Sequence, residues 1–186
     1  MSGPQPTDEK LIALFRESGD TRILSDLVRQ HVPKVRTMIS RMVLNEADAD
    51  DLTQEVFLRA FRGIAGFQGK SEVSTWLYQI AMNTTRSFLS RRKRPRPMPE
   101  EMLADRADPA SATPEQLAIA GELDSAVTAA IDSLPTHLRA AVVLTILQGM
   151  DVREAAQIER CAAATMYWRI HKARKALTKL LGQYLP

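Results

Sequence analysis

The chain is short of several things, and each shortage removes a class of protein. One cysteine, Cys161, excludes an internal disulfide and fits a reducing compartment. No stretch approaches the roughly 18 to 20 consecutive apolar residues that a bilayer-spanning helix needs. The opening "MSGPQPTDEK" has neither a basic leader nor an apolar continuation, which points to a cytosolic chain. There is no phosphate-binding Gly-Lys loop, no HExxH and no nucleophile motif, and the three histidines, His31, His137 and His171, are scattered. Nothing here suggests an enzyme, a cofactor or a catalytic residue. Sustained strand alternation is missing as well.

What is present is a good supply of core material. Hydrophobic residues make up 45% of 186, enough for one good core or two small ones of about 80 to 90 residues each. A net charge of +3 names no partner, but its distribution is informative. Residues 86–96 carry six bases and no acid, residues 98–132 eight acids and one base, and residues 150–186 seven bases and three acids. Such alternation implies separate surfaces with separate partners.

Helical periodicity runs through the chain, so the fold class is all-α. Thr7 can cap a helix from about Asp8 to Glu17 with Leu11, Leu14 and Phe15 inward. A longer span, Thr21 to Val43, repeats Leu24, Leu27, Val28, Val35, Ile39 and Met42, and Pro33 predicts a kink or a break in it. Asn45 is a candidate N-cap for a helix through Phe61, with acids in the first turn where free amides favour them. Gly63, Gly66 and Gly69 mark a loop before a helix from Glu72 to Arg92. The stretch "RRKRPRPMPEEMLADRADPASATP" then brings five prolines and few large apolar residues, which is linker composition. It divides the chain into a domain at 8–94, a flexible linker at 95–114 and a second domain at 115–184. In the second, helices are expected at Gln116–Ile131 and Thr136–Leu147. A short helix at Val152–Glu159, a tight turn at Arg160 and Cys161 and a longer basic helix at Ala163–Leu181 then make a helix-turn-helix signature.

Three segments carry chemistry. In Ala163–Leu181, Met166, Ile170, Ala173 and Leu177 form one inward stripe and leave Thr165, Trp168, Arg169, Lys172, Lys175 and Lys179 elsewhere. A helix this basic suits a DNA major groove, where arginine and lysine reach phosphates or guanine acceptors. The bland alternative is a solvated basic face, and Trp168 suits either DNA contact or a cover over the core. In "STWLYQIAMNTTRSFLSRRKRPR", aromatic rings, Asn83, Thr84, Arg86 and Ser87 precede a basic terminus. That mixture suits unstacked or single-stranded DNA better than an intact duplex. Trp76 falls at core spacing with Leu77 and Ile80, so a core role competes there.

The third segment is opposite in charge: residues 46–55 hold five acids and no base. Asp48, Asp51 and Glu55 share one face, and Leu52, Val56 and Phe57, continued by Ala60 and Phe61, build the adjacent apolar side. Such a surface repels phosphates, so it should point away from DNA and toward a protein supplying basic and apolar groups. The spacing lacks the glycine of a calcium loop, and carboxylates on a helix diverge, which argues against a metal.

Two blocks of this sequence resemble a known family. "DADDLTQEVFLRAFRGIAGFQGKSEVSTWLYQIAMNTTRSFLSRRKR" is similar to region 2, and "LPTHLRAAVVLTILQGMDVREAAQIERCAAATMYWRIHKARKAL" to region 4, of the extracytoplasmic-function group of bacterial RNA polymerase sigma factors. The resemblance implies that Asp48, Asp51, Leu52, Gln54, Glu55 and Phe57 bind core RNA polymerase. It implies that Phe67, Ser74, Trp76, Asn83, Arg86, Ser87 and Arg91 meet the −10 element, and that Thr165, Trp168, Arg169, Lys172 and Arg174 meet the −35 element of promoter DNA. It further implies an anti-sigma factor, often membrane-held, as regulator of a chain that is monomeric when free. Departures from the family pattern are Arg160 and Ala164 in place of small or glycine residues, Tyr167-Trp168 in place of a lysine-serine pair, and Gln79 and Met82 where many relatives carry a base. An ordinary helix-turn-helix regulator of duplex operators and a helical protein-interaction adaptor are the rival readings.

Overall fold

A computed structural model of the chain describes residues 7–92 and 114–184, with side chains described from 124 onward in the second span except at 183. The linker expected at 95–114 lies almost wholly outside the described residues. The architecture is all-α, with no strand among the described residues. Helices α1 (Asp8–Ser18), α2 (Thr21–Val43), α3 (Glu46–Gly63) and α4 (Val73–Arg92) form the first half, with a 3₁₀ turn at Ile64–Gly66. The second half contains α5 (Pro114–Ser133), α6 (Thr136–Val142), α7 (Val152–Ile158) and α8 (Ala163–Leu181).

Caps account for most boundaries. The Asn45 side chain accepts the Asp48 amide at 2.9 Å and starts α3, as its position promised. Asp20 does the same for α2 through Arg22 N–H at 2.9 Å, and Asp151 for α7 through Arg153 N–H at 2.7 Å. Gly19, at φ 68, closes α1 with its amide on the Phe15 carbonyl. Thr7 helps only with its backbone, accepting the Leu11 amide at 3.1 Å.

Three expectations need correcting. Of the kink or break expected at Pro33, the break does not occur, since helix α2 is continuous through it; Pro33 and Arg29 are both exposed, so water can serve the Arg29 carbonyl that loses its amide partner. In α1, Ile12 joins Leu11 in the core while Leu14 is 41% exposed, one step away from the expected phase. The helix expected at Thr136–Leu147 is α only to Val142; Val143–Leu147 widens into a π turn, with Gln148 N–H on the Val143 carbonyl at 2.9 Å.

The core centres on Met38, Ile39 and Met42 of α2, none with measurable exposure, packed with Val56, Leu77 and Met82 of α3 and α4. Burying each such side chain contributes about 1.5 to 3 kcal/mol. This buried cluster does not stop at the first half: Ala140, Leu144, Ala155, Ile158 and Met166 belong to it. Helix α4 lies against α7, and the end of α2 against the π turn. A smaller cluster of Leu134, Leu138, Val142 and Ala173 ties α5 and α6 to α8.

Candidate functional site

The acidic helix α3 is neutralised on one side and open on the other. Arg36 of α2 meets Asp50 at 2.6 Å and Glu46 at 2.7 Å, and its hydrogen bond holds the Asp50 carboxyl below its ordinary range. Arg92 of α4 pairs with Asp48 at 2.8 Å, and Arg59 with Glu55 at 2.5 Å. Asp51 is exposed and has no ion-pair partner among the described residues, and Gln54 beside it is exposed too. Of the six residues expected at this face, Leu52 and Phe57 lie in the core, 3% and 7% exposed. Leu58, 55% exposed, and Phe61, 40% exposed, supply the apolar surface instead. Sequence reading missed Leu58 and set Phe61 on one apolar side with Leu52, Val56, Phe57 and Ala60, because the apolar residues of α3 spread around more than one face of the helix. Their flanking of Asp51 and Gln54 was the available signal.

A second feature lies at the turn into α4. Phe67 is buried with its ring 5.2 Å from that of Trp76 and tilted by 48°, and Arg16 of α1 donates to the Phe67 carbonyl. The pair walls a cleft of about 490 Å³ that is also lined by Gly66, Gln68, Lys70, Ser71, Gln79 and Gln157. Gly63 leaves room for the indole: a Cβ there would meet Trp76 Cζ2 at 3.3 Å. Trp76 is half-buried against the core and also edges the open cleft. Ser74 is half-buried nearby, while Asn83, Ser87 and Arg91 follow at one-turn intervals along α4, all exposed. Arg86 is turned away from that stripe, onto Glu159.

The third feature is the helix-turn-helix of α7 and α8. The turn between them places Arg160 at φ 50, a left-handed conformation, and Cys161 is half-buried in it. Met166, Ile170 and Ala173 point inward as expected, and Leu177 is half-buried. Facing out are Thr165, Tyr167 (61% exposed), Trp168 (52%), Lys172 and Arg174. The Lys172 ammonium lies 5.8 Å from the Trp168 ring, a cation–π contact one turn along the helix. Trp168 is therefore not a cover for the core. Arg169 differs from the rest: its side chain is 17% exposed and holds Glu159 at 2.8 Å.

Comparison with known proteins decides what these features belong to. Residues 27–95 match the family described as Sigma-70 region 2, and residues 124–177 the one described as Sigma-70, region 4. The ECF RNA polymerase sigma-E factor of Haemophilus influenzae is 34% identical over 181 residues, 93% of this chain and 94% of its own length. The chain is an ECF sigma factor of the sigma-70 family. Among solved structures, CnrH in complex with the cytosolic domain of CnrY shares the arrangement with a TM-score of 0.70 at 25% identity, over 96% of this chain and 99% of that one. The sigma factor RpoE bound to the anti-sigma factor NepR from Bartonella quintana shares the fold, with a TM-score of 0.66 at 23% identity over 86% and 96% of the two chains.

As an RNA polymerase sigma factor, the chain presents its acidic ridge and aromatic cleft within region 2 and its outward basic helix within region 4. No helix among the described residues is long and apolar enough to cross a membrane.

Proposed function

We propose that this sigma factor divides its work among the three features. Asp51, Gln54 and Glu55, with Leu58 and Phe61 as the apolar complement and Asp48 at the edge, would engage core RNA polymerase. Exposed acid beside exposed leucine and phenylalanine suits a protein partner and repels DNA. The cleft walled by Phe67 and Trp76 takes an unpaired base of the −10 element, and Ser74 with the Asn83, Ser87 and Arg91 stripe and Arg86 follows the melted strand. An extruded base loses stacking worth a few kcal/mol, and an aromatic wall with amides and Lys70 around it offsets that loss.

In region 4, Thr165, Trp168, Lys172 and Arg174 enter the −35 major groove. Trp168 packs on the sugar or on a thymine methyl rather than making a polar bond, because its indole is exposed on the outward face beside Lys172. Arg169 contributes charge near the backbone once released from Glu159. The factor performs no covalent step itself: its binding free energy drives strand opening, and the chemistry belongs to the polymerase. It works in the cytoplasm under an anti-sigma factor that covers the same faces and can hold it at the membrane. The support for that partner is that the solved relative CnrH was captured with the cytosolic domain of another protein.

The observation carrying this reading is the coexistence in one chain of a ridge suited to protein and two DNA-suited surfaces in regions 2 and 4. Reconstitution tests it: purified chain, core polymerase and a genomic promoter library, read by open-complex footprinting and run-off transcription. Initiation from a defined promoter class is the expected result. Failure to initiate anywhere, with folding verified and the polymerase active with another sigma factor, would reject it.

A further inference from the structure

Glu159 ends α7 with a side chain only 1% exposed. A carboxylate so removed from water must be paired, and its partners come from opposite halves of the molecule. Arg169 of α8 donates at 2.8 Å, and Arg86 of α4 donates to the other carboxylate oxygen. Both arginines are residues that the proposed reading assigns to promoter DNA. A guanidinium committed to a buried carboxylate is withheld from phosphate.

The surrounding contacts repeat the pattern. Gln79 of α4 donates to the Gln157 carbonyl at 3.2 Å, and Gln157 forms part of the wall of the aromatic cleft. Arg41 of α2 donates to the Leu147 carbonyl and Arg139 of α6 to the Met42 carbonyl, each at 2.8 Å. Each half thus supplies an arginine to the carbonyl end of a helix in the other, where partial negative charge collects.

We propose that Glu159 is an intramolecular latch, holding regions 2 and 4 together in the free sigma factor with a promoter-binding group of each engaged on one carboxylate. The proposal rests on the promoter reading above for the roles of Arg86 and Arg169; the latch itself rests on the contacts. Opening begins at Arg86, whose side chain is 42% exposed against 17% for Arg169, so water and phosphate reach it first. Arg169 then remains on Glu159 until the recognition helix meets DNA.

Small-angle scattering of the full chain tests the latch without labels, comparing the unaltered protein with Arg86→Ala and Glu159→Gln, each checked for helicity. Both variants should expand. In parallel, the free chains are titrated with a pool of short duplexes carrying randomised −35 sequences and no −10 element. The outward residues of α8 are free in the latched chain and only Arg169 is withheld. Glu159→Gln, which weakens the hold on Arg169, should therefore bind the pool about tenfold tighter, whereas Arg86→Ala, which leaves Arg169 on Glu159, should bind it as the unaltered chain does. Scattering unchanged in both variants would overturn the latch, whatever the DNA does. Expansion with duplex affinity unchanged in Glu159→Gln would overturn its occluding role. A chain that opens in both variants while no form binds any duplex would uphold the latch and contradict the promoter reading.

Discussion

At the scale of single residues, Arg160 carries a cost that its identity reveals only in part. The family pattern marked the position as one favouring a small or glycine residue, and φ 50 supplies the reason. Left-handed backbone costs a residue with a Cβ about 1 to 2 kcal/mol. Arg160→Gly should therefore stabilise the protein by about 1 kcal/mol in urea denaturation, and a loss of stability would show that the arginine side chain offsets the strain. Leu44, at φ 57 after α2, is held the same way, yet nothing about a leucine announces a left-handed cap. On α8 the inward stripe was legible from spacing alone, whereas the exposure of Trp168 and the engagement of Arg169 were not: spacing does not reveal a partner ten residues away such as Glu159. Trp168→Ala should lower discrimination at one −35 position by about 1 to 3 kcal/mol, read by binding to a panel of single-base variants. Equal weakening on every duplex would make the indole a backbone contact instead.

Among elements, α3 shows where periodicity stops being decisive. Its N-cap was evident from Asn45, and its acidic first turn from composition. Which apolar residues face out was not, since Leu52, Val56, Phe57, Leu58, Ala60 and Phe61 cover too much of the circumference for a single stripe. Only contact with α2 and α4 selects Leu52 and Phe57 for the interior. The two faces should separate in experiment. Phe57→Ala should cost about 3 to 5 kcal/mol of stability, while Leu58→Glu should change stability by less than about 0.5 kcal/mol and weaken polymerase binding. Calorimetry beside a polymerase pull-down distinguishes them, and a destabilised Leu58→Glu would mean that this face is already covered within the chain. The π turn at Val143–Leu147 escaped for a different reason. Adding one residue to a turn leaves the apolar pattern of "LRAAVVLTIL" readable as plain α-helix, and Arg41, which binds the Leu147 carbonyl, is remote in sequence.

At the scale of the whole molecule, the two helical halves and the order of their motifs were legible, because proline-rich composition separates two periodic segments. Their packing against each other was not, since it depends on pairs such as Arg41 with Leu147 and Arg86 with Glu159 that no local pattern encodes. Tyr78 lies in this junction, 5% exposed, and burial, with Glu154 adding to it, pushes its phenol above the ordinary value of 10.0. A raised folded-state value means that the contribution is intact below about pH 10 and is lost as pH climbs through the folded value. Melting temperatures should fall above that pH, and the fall should be smaller in Tyr78→Phe; equal falls would place the alkaline transition elsewhere. The central claim is that the polymerase face and the upstream promoter face are physically separate surfaces of one sigma factor. It is tested most directly by measuring core-polymerase affinity and −35 duplex affinity for two variants, Asp51→Lys and Trp168→Ala. The prediction is a crossed pattern, with Asp51→Lys losing polymerase and keeping duplex, and Trp168→Ala the reverse. Either variant losing both affinities, or neither variant losing any, would contradict it.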